Sequence, residues 1–239
     1  MFVHNSSHRR RRLLLGAILM IAVAMPAGPA AAAANHNPGV LPPQSHPFGM
    51  SYGQWSALWW QQAFAVHSGP GSPFEVGSVD CTSLGTRHVA FLVGTTQTSG
   101  NPASRSCSLP TGTALLFPLI NYAATPGDGV GSSEAELLAN ARGVADSFTD
   151  LMATVDGRAL SDLASYRFQS PLFTWTTPSD NVFDVDATAD PTPAVADGYW
   201  IMLAPLSPGV HTISFGGAAP TFMFTTATSY TITVTPDHH

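Results

Sequence analysis

Few side chains in this sequence combine the residue type and the setting that chemistry needs. His88 and His211 are the first pair. On strand alternation, His211 shares a face with Ile213 and Phe215, and His88 shares one with Ala90 and Leu92, so both are expected to point inward. An inward imidazole titrates near neutrality and can serve as acid, base or metal ligand. Glu75 is the one glutamate of three without a structural role, because Glu134 and Glu136 sit at a helix start, where the dipole favours them. Paired with a distant aspartate, Glu75 could flank a glycosidic bond as one half of a hydrolytic pair. Glu75, His88 and His211 are thus the catalytic candidates of an extracellular hydrolase or metal-assisted enzyme.

A second set is acidic. Asp180, Asp184, Asp186 and Asp190, with Asp197 behind them, place hard oxygens in a loop that also holds Asn181 and Thr188. Calcium takes six to eight such ligands, so the loop is a candidate calcium site in a calcium-stabilised module. The plainer alternative is a solvated linker between strands. No other cofactor is expected.

A third set is aromatic: Trp55, Trp59, Trp60, Trp175 and Trp200, with Tyr166 and Tyr199. The three helix tryptophans read as core, because the residues around them are also apolar. Trp175, Trp200 and Tyr199 lie on strands, and an exposed aromatic face there could stack on a sugar ring. The catalytic elbow G-x-S-x-G, the zinc helix H-E-x-x-H, phosphate loops, dinucleotide fingerprints and EF-hand loops are all absent from the sequence.

The elements that must position these residues are mostly strands. Residues 35–50 read as an extended leader. Ser51 and Gln54 form a capping box, and a helix follows to His67, apolar over most of its girth. Thr86–Val93 and Thr113–Ile120 are short apolar runs bounded by turn residues. Ser133 and Glu136 make a second capping box, with a helix expected from Ala135 to about Met152. Asp156-Gly157 reads as a tight hairpin turn. Six strands follow: 166–169, 172–176, 199–203, 210–215, 221–225 and 230–234. The pattern predicts a mainly β protein, an antiparallel, jelly-roll-like β-sandwich with a leading Trp-rich helix and one inserted helix. Residues 51–235 form its single globular domain, and 236–239 are a disordered tail.

The N-terminus reads as a secretory signal peptide over residues 1–34. Arg9 to Arg12 make its cationic start, Leu13–Met25 its apolar run, and Ala32-Ala33-Ala34 its small-residue cleavage site. The apolar run is too short to span a membrane, so no span is expected after cleavage, and the protein is expected to be secreted or periplasmic. Cleavage leaves about 205 residues and moves the net charge from −6 to about −10, with five arginines and no lysine. Such a domain repels nucleic acid, which is excluded as a partner. Cys81 and Cys107 most simply form one disulfide in that compartment, closing a loop of about 27 residues worth ~3.5 kcal/mol.

Two longer stretches carry a resemblance. Tyr52-Gly53-Gln54-Trp55-Ser56 with Trp59-Trp60-Gln61, and Arg105-Ser106-Cys107-Ser108-Leu109-Pro110 running on to Phe117-Pro118-Leu119-Ile120-Asn121, resemble a group of uncharacterised exported bacterial proteins. Asp197-Gly198-Tyr199-Trp200 and Pro205 to Ile213 are similar to the same group. The resemblance implies export and a single domain and supplies no catalytic residues. The expected function is binding of a small molecule, a glycan or a cell-envelope component.

Overall fold

The computed structural model describes residues 37, 39–96, 102–188 and 190–236. The expected signal peptide, Asn35, and residues 237–239 of the expected tail lie outside that set. Both capping boxes form. Gln54 donates its backbone N–H to Ser51 Oγ at 3.3 Å while its Oε1 accepts from Ser51 N at 2.9 Å. Helix α1 then runs Tyr52–Phe64, with Trp55, Trp59 and Trp60 all buried. Ser133 and Glu136 repeat the arrangement at the start of helix α2, Glu134–Ala145.

Helix α2 ends well before the expected Met152. Phe148, Leu151 and Met152 continue its apolar spacing, but Thr149–Val155 is a strand. Asp150 there has φ 53°, a value helices do not use. The β-branched Thr149, Thr154 and Val155 suit a pleated surface, and pairing to a neighbouring strand decides the outcome.

The strands in chain order are β1 (Gly77–Ser78), β2 (Val89–Phe91), β3 (Ala103–Pro110), β4 (Ala114–Ala124), β5 (Thr149–Val155), β6 (Arg158–Ala159), β7 (Arg167–Gln169), β8 (Phe173–Trp175), β9 (Thr192–Leu203), β10 (Gly209–Ala219) and β11 (Phe224–Thr235). One sheet has the order β1-β3-β11-β10-β5-β6; the other runs β2-β4-β9-β7, with β8 also paired to β9. The two sheets pack into a mainly β sandwich, with the leading and inserted helices where they were expected. Pairing is mixed within it: β3 runs parallel to β11 and to β1, and β2 runs parallel to β4, while the other pairs are antiparallel. The expected hairpin turn forms, with Asp156 at φ 49° and Gly157 at φ 75° between β5 and β6.

Strands β4 and β9 are buried almost throughout. A strand covered on both faces reads as a continuous apolar run, and Leu115–Ile120 and Trp200–Leu203 are such runs. One face meets the other sheet: Phe117 stacks on Phe215 of β10 at 4.7 Å between ring centroids. The opposite face meets α1, where Trp59 packs edge-on to Trp200 at 5.5 Å. Helix α2 covers the far end of the same sheet through Leu137 and Ala141, against Ala124 and Val195. Helix α1 comes close enough to the chain after β7 that a Cβ at Gly53 would collide with the Gln169 carbonyl. The leader is tied in too. Leu41 N donates to Met202 O at 2.8 Å, and Trp55 Nε1 donates to Pro47 O at 3.0 Å.

Strand β3 was not among the expected strands, yet it anchors two loops. It alternates strictly, with Ala103, Arg105, Cys107 and Leu109 inward. Cys107 forms the expected disulfide with Cys81. Arg105 is only 2% exposed and meets no carboxylate. Its Nε donates to Glu75 O at 2.7 Å, Nη1 to Val93 O at 3.1 Å, and Nη2 to Phe74 O at 2.7 Å and Gly94 O at 3.2 Å. The guanidinium also lies 5.6 Å from the centre of the Tyr230 ring. Removing it strands four buried or half-buried carbonyls, and losing buried charge-assisted bonds of this kind costs about 3–5 kcal/mol. Arg105→Leu is therefore expected to lower the unfolding free energy by about that much in urea denaturation. A loss below about 1 kcal/mol would show that the carbonyls find other partners.

Candidate functional site

The structure gives the three catalytic candidates separate surroundings. Glu75 is exposed in the loop before β1, where its backbone carbonyl serves Arg105. His88 precedes β2 and is exposed, stacked on Phe48 at 6.2 Å between centroids. The alternation that predicted an inward His88 fails because β2 begins one residue later, at Val89. His211 is directed inward only in part, at 12% side-chain exposure. Its Nδ1 lies 2.8 Å from Asp156 Oδ2 and its Nε2 lies 2.9 Å from Ser207 O. Among the described residues no hydrogen bond links the three, and none of them lines the main cavities.

The acidic loop is spread out. Asp180, Asp184, Asp186 and Asp190 are all exposed, and Asp180 bonds His67 Nδ1 at 2.7 Å. No three His, Cys, Asp or Glu side chains among the described residues gather as a metal site. Asp197, by contrast, is fully buried on β9. Arg167 grips it through Nε at 2.9 Å and Nη2 at 3.0 Å, and Gln169 Nε2 adds a third bond at 3.0 Å. Arg167 also reaches Asp146 at 2.6 Å, tying the end of α2 to β7 and β9. The bonds to Asp197, with a smaller share from Asp146, hold the guanidinium charged well above its ordinary range, against the opposing effect of its partial burial. The complementary geometry makes this cluster a fastener.

Two of the strand aromatics are not available for stacking on an exposed sugar. Trp200 is fully buried under α1, and Trp175 is 7% exposed with its ring 4.1 Å from that of Phe64. Tyr199 is half-buried.

What the fold does build is a hollow. Between α1, the end of α2 and the ends of both sheets lies a cavity of about 350 Å³. Trp59 and Trp60 line it from α1, Phe148 from the end of α2, Phe74 and Phe183 from loops, and Phe222 from the turn between β10 and β11. Among the described residues none of its wall is charged at neutral pH; Tyr122 is the only one there that titrates, and burial pushes that phenol up. The Arg105 carbonyl partners Phe74 and Gly94 are both wall residues, so the buried cation fixes part of the cavity's shape. Gly94 and Thr95 are held on the other side by Thr226 of β11, whose Oγ1 lies 3.1 Å from that of Thr95. Two buried donors in the wall, Trp60 Nε1 and Asn121 Nδ2, have no hydrogen-bond partner among the described residues. Sequence reasoning did not find this site, because its walls come from segments far apart in the chain. Trp59 and Trp60 were recognised only as core.

No family model matches the chain, and no curated protein matches it. Among solved structures it is similar to the cysteine protease inhibitor EhICP2 from Entamoeba histolytica. That match has 12% identity and a TM-score of 0.24, covering 63% of this chain and all of that one. A likeness at that level carries no argument about fold or function.

The surroundings of His211 set a pH dependence. A neutral imidazole has one N–H, yet both ring nitrogens face acceptors, so the imidazolium satisfies both. The bond to Asp156 raises His211 above its ordinary 6.5, against a smaller opposing effect of burial. Burial of Asp156 works against its charge, but the bonds from His211 and the Thr212 N–H outweigh it and hold the carboxyl below its ordinary 3.8. The histidine contribution is complete below 6.5 and fades as pH rises through the raised folded value. The aspartate contribution is complete above 3.8 and fades as pH falls through the lowered folded value. The melting-temperature difference between the protein and its His211→Gln variant should therefore be greatest between those two ordinary values, and should shrink toward pH 8.5. A difference that stays flat from pH 5 to pH 8.5 would contradict the pair's assignment.

Proposed function

We propose that this protein is an extracytoplasmic binding module that takes a small, largely apolar ligand into the aromatic cavity at the end of its sandwich. The observation that carries the reading is the cavity itself: about 350 Å³ bordered by aromatic side chains from six separate segments. A hollow of that size is within the range of small-molecule sites, which are mostly apolar and largely preformed. The disulfide supports work outside the cytoplasm, as does the expected signal peptide. No described helix is long and apolar enough to cross a membrane. The burial of Trp175 and Trp200 moves the expected ligand from a surface glycan toward an enclosed apolar molecule. A hydrolytic reading gains nothing from Glu75, His88 and His211, which share no cavity.

The test is uptake of a neutral fluorescent probe, N-phenyl-1-naphthylamine, followed by its emission in the dry cavity. Saturable binding in the micromolar range is expected. Val144→Trp and Thr96→Trp, which place an indole at two different walls, should each weaken it at least tenfold while the protein stays folded by circular dichroism. Binding that is absent, or unaffected by both substitutions, would remove the reading.

A further inference from the structure

We propose that the ligand of this cavity is an amphipathic organic cation, with its apolar body in the cavity and an amine or quaternary ammonium group in the cleft beside it. The proposal rests on the reading of the cavity as a ligand site and adds the charge of what enters. The cleft has a volume of about 710 Å³ and shares Trp60, Asn121, Tyr122 and Phe183 with the cavity, so the two hollows meet at a common wall.

The cleft adds Phe64 and Trp175 to that wall. The rings are close: Phe183 lies 5.6 Å from Trp60 and 5.1 Å from Phe64. Asp128, Asp184 and Asp186, all exposed, line the same cleft. No ion pair among the described residues neutralises any of the three. Among the described residues no Arg or His lines either hollow. Aromatic faces attract cations through their negative quadrupole, and uncompensated carboxylates add Coulomb attraction. A carboxylate or phosphate ligand would meet the same carboxylates with no counter-charge.

The test uses three ligands with one ring system: 2-naphthylmethylamine, 2-naphthylmethanol and 2-naphthoate, cationic, neutral and anionic at pH 7. The amine is expected to bind about tenfold more tightly than the alcohol at low salt, and the acid more weakly than the alcohol. The double variant Asp184→Asn, Asp186→Asn should cut the amine's advantage over the alcohol about threefold or more and leave the alcohol unchanged, since Asp128 and the aromatic faces remain. Asparagine accepts the left-handed backbone that Asp184 occupies at φ 54°. An acid that binds as well as the amine, or an amine preference undiminished in the double variant, would overturn the charge inference and leave the cavity reading standing. Failure of all three ligands to bind would overturn both.

Discussion

A single buried cation organises the end of the sandwich where the cavity lies. Taking a guanidinium out of water without a counter-anion costs several kcal/mol, so it must be met by good acceptors. Arg105 meets four backbone carbonyls and the face of Tyr230. Those carbonyls belong to two loops, 74–75 and 93–94, that have little regular structure of their own. Each loop is fixed because its carbonyls have a strong donor there. The fork of donors on arginine suits this task, since a lysine ammonium is a compact point with three donors and cannot spread across two loops in the same way. Two residues further along the same inward face, Cys107 holds Cys81. Strand β3 therefore fastens the loop structure covalently at one point and electrostatically at another, and Phe74 and Gly94 of the cavity wall are among the groups so held.

The other constraint is that the five-stranded sheet is covered on both faces. Strands β4 and β9 face the second sheet on one side and the helices on the other, which makes three layers of one small domain. The aromatic richness of the sequence follows from that arrangement. Trp59 against Trp200 and Tyr52 against Phe168 are contacts between α1 and the sheet, and large rings fill the space between a helix and a strand surface. Where α1, α2 and the sheet ends no longer meet closely, the same rings border a void.

Local signals in the sequence were reliable where one short segment determines the outcome. Both capping boxes, the Asp156-Gly157 turn, the buried runs of β4 and β9, and the cysteine pair each depend on residues close together or on a single simple pairing. The failures have equally particular causes. β3 was hidden because an arginine and three serines interrupt its apolar pattern, and Arg105 is inward only because carbonyls from elsewhere receive it. β5 was hidden because Phe148, Leu151 and Met152 happen to continue the helical stripe of α2. Of the expected strand 221–225 only Phe224 and Thr225 are extended, because Pro220–Phe222 makes a tight turn and Met223 takes φ 52°; the polar stretch Thr225–Ser229 hid their continuity with the expected strand 230–234 in β11, where Thr226 and Thr228 are buried in the inward row. The parallel pairing of β3 with β11 joins residues more than a hundred positions apart, as in Cys107 opposite Ile232, and nothing local encodes it. The cavity shares that property, since it exists only once seven segments have come together.

The scarcity of cations links the fold to its chemistry. Of the arginines in the described chain, Arg105 is spent on loop carbonyls and Arg167 on Asp197 and Asp146, while Arg142 reaches Gln169 at 3.1 Å. All three hold the framework together, and with no lysine in the sequence few cations remain to receive an anionic ligand. The carboxylates are distributed differently. Asp197 and Asp156 are bonded to Arg167 and His211, whereas Asp128, which accepts from Thr125 N and Oγ1, and Asp184 and Asp186 line the cleft beside the aromatic wall with no cationic partner among the described residues. A surface of this kind has a negative potential that no internal pairing cancels, and the aromatic faces behind it favour the same sign of guest. The framework thus uses Arg105 and Arg167 for its own bonds and leaves carboxylates lining the cleft, and that asymmetry is the basis of the proposed preference for a cation among ligands of equal shape.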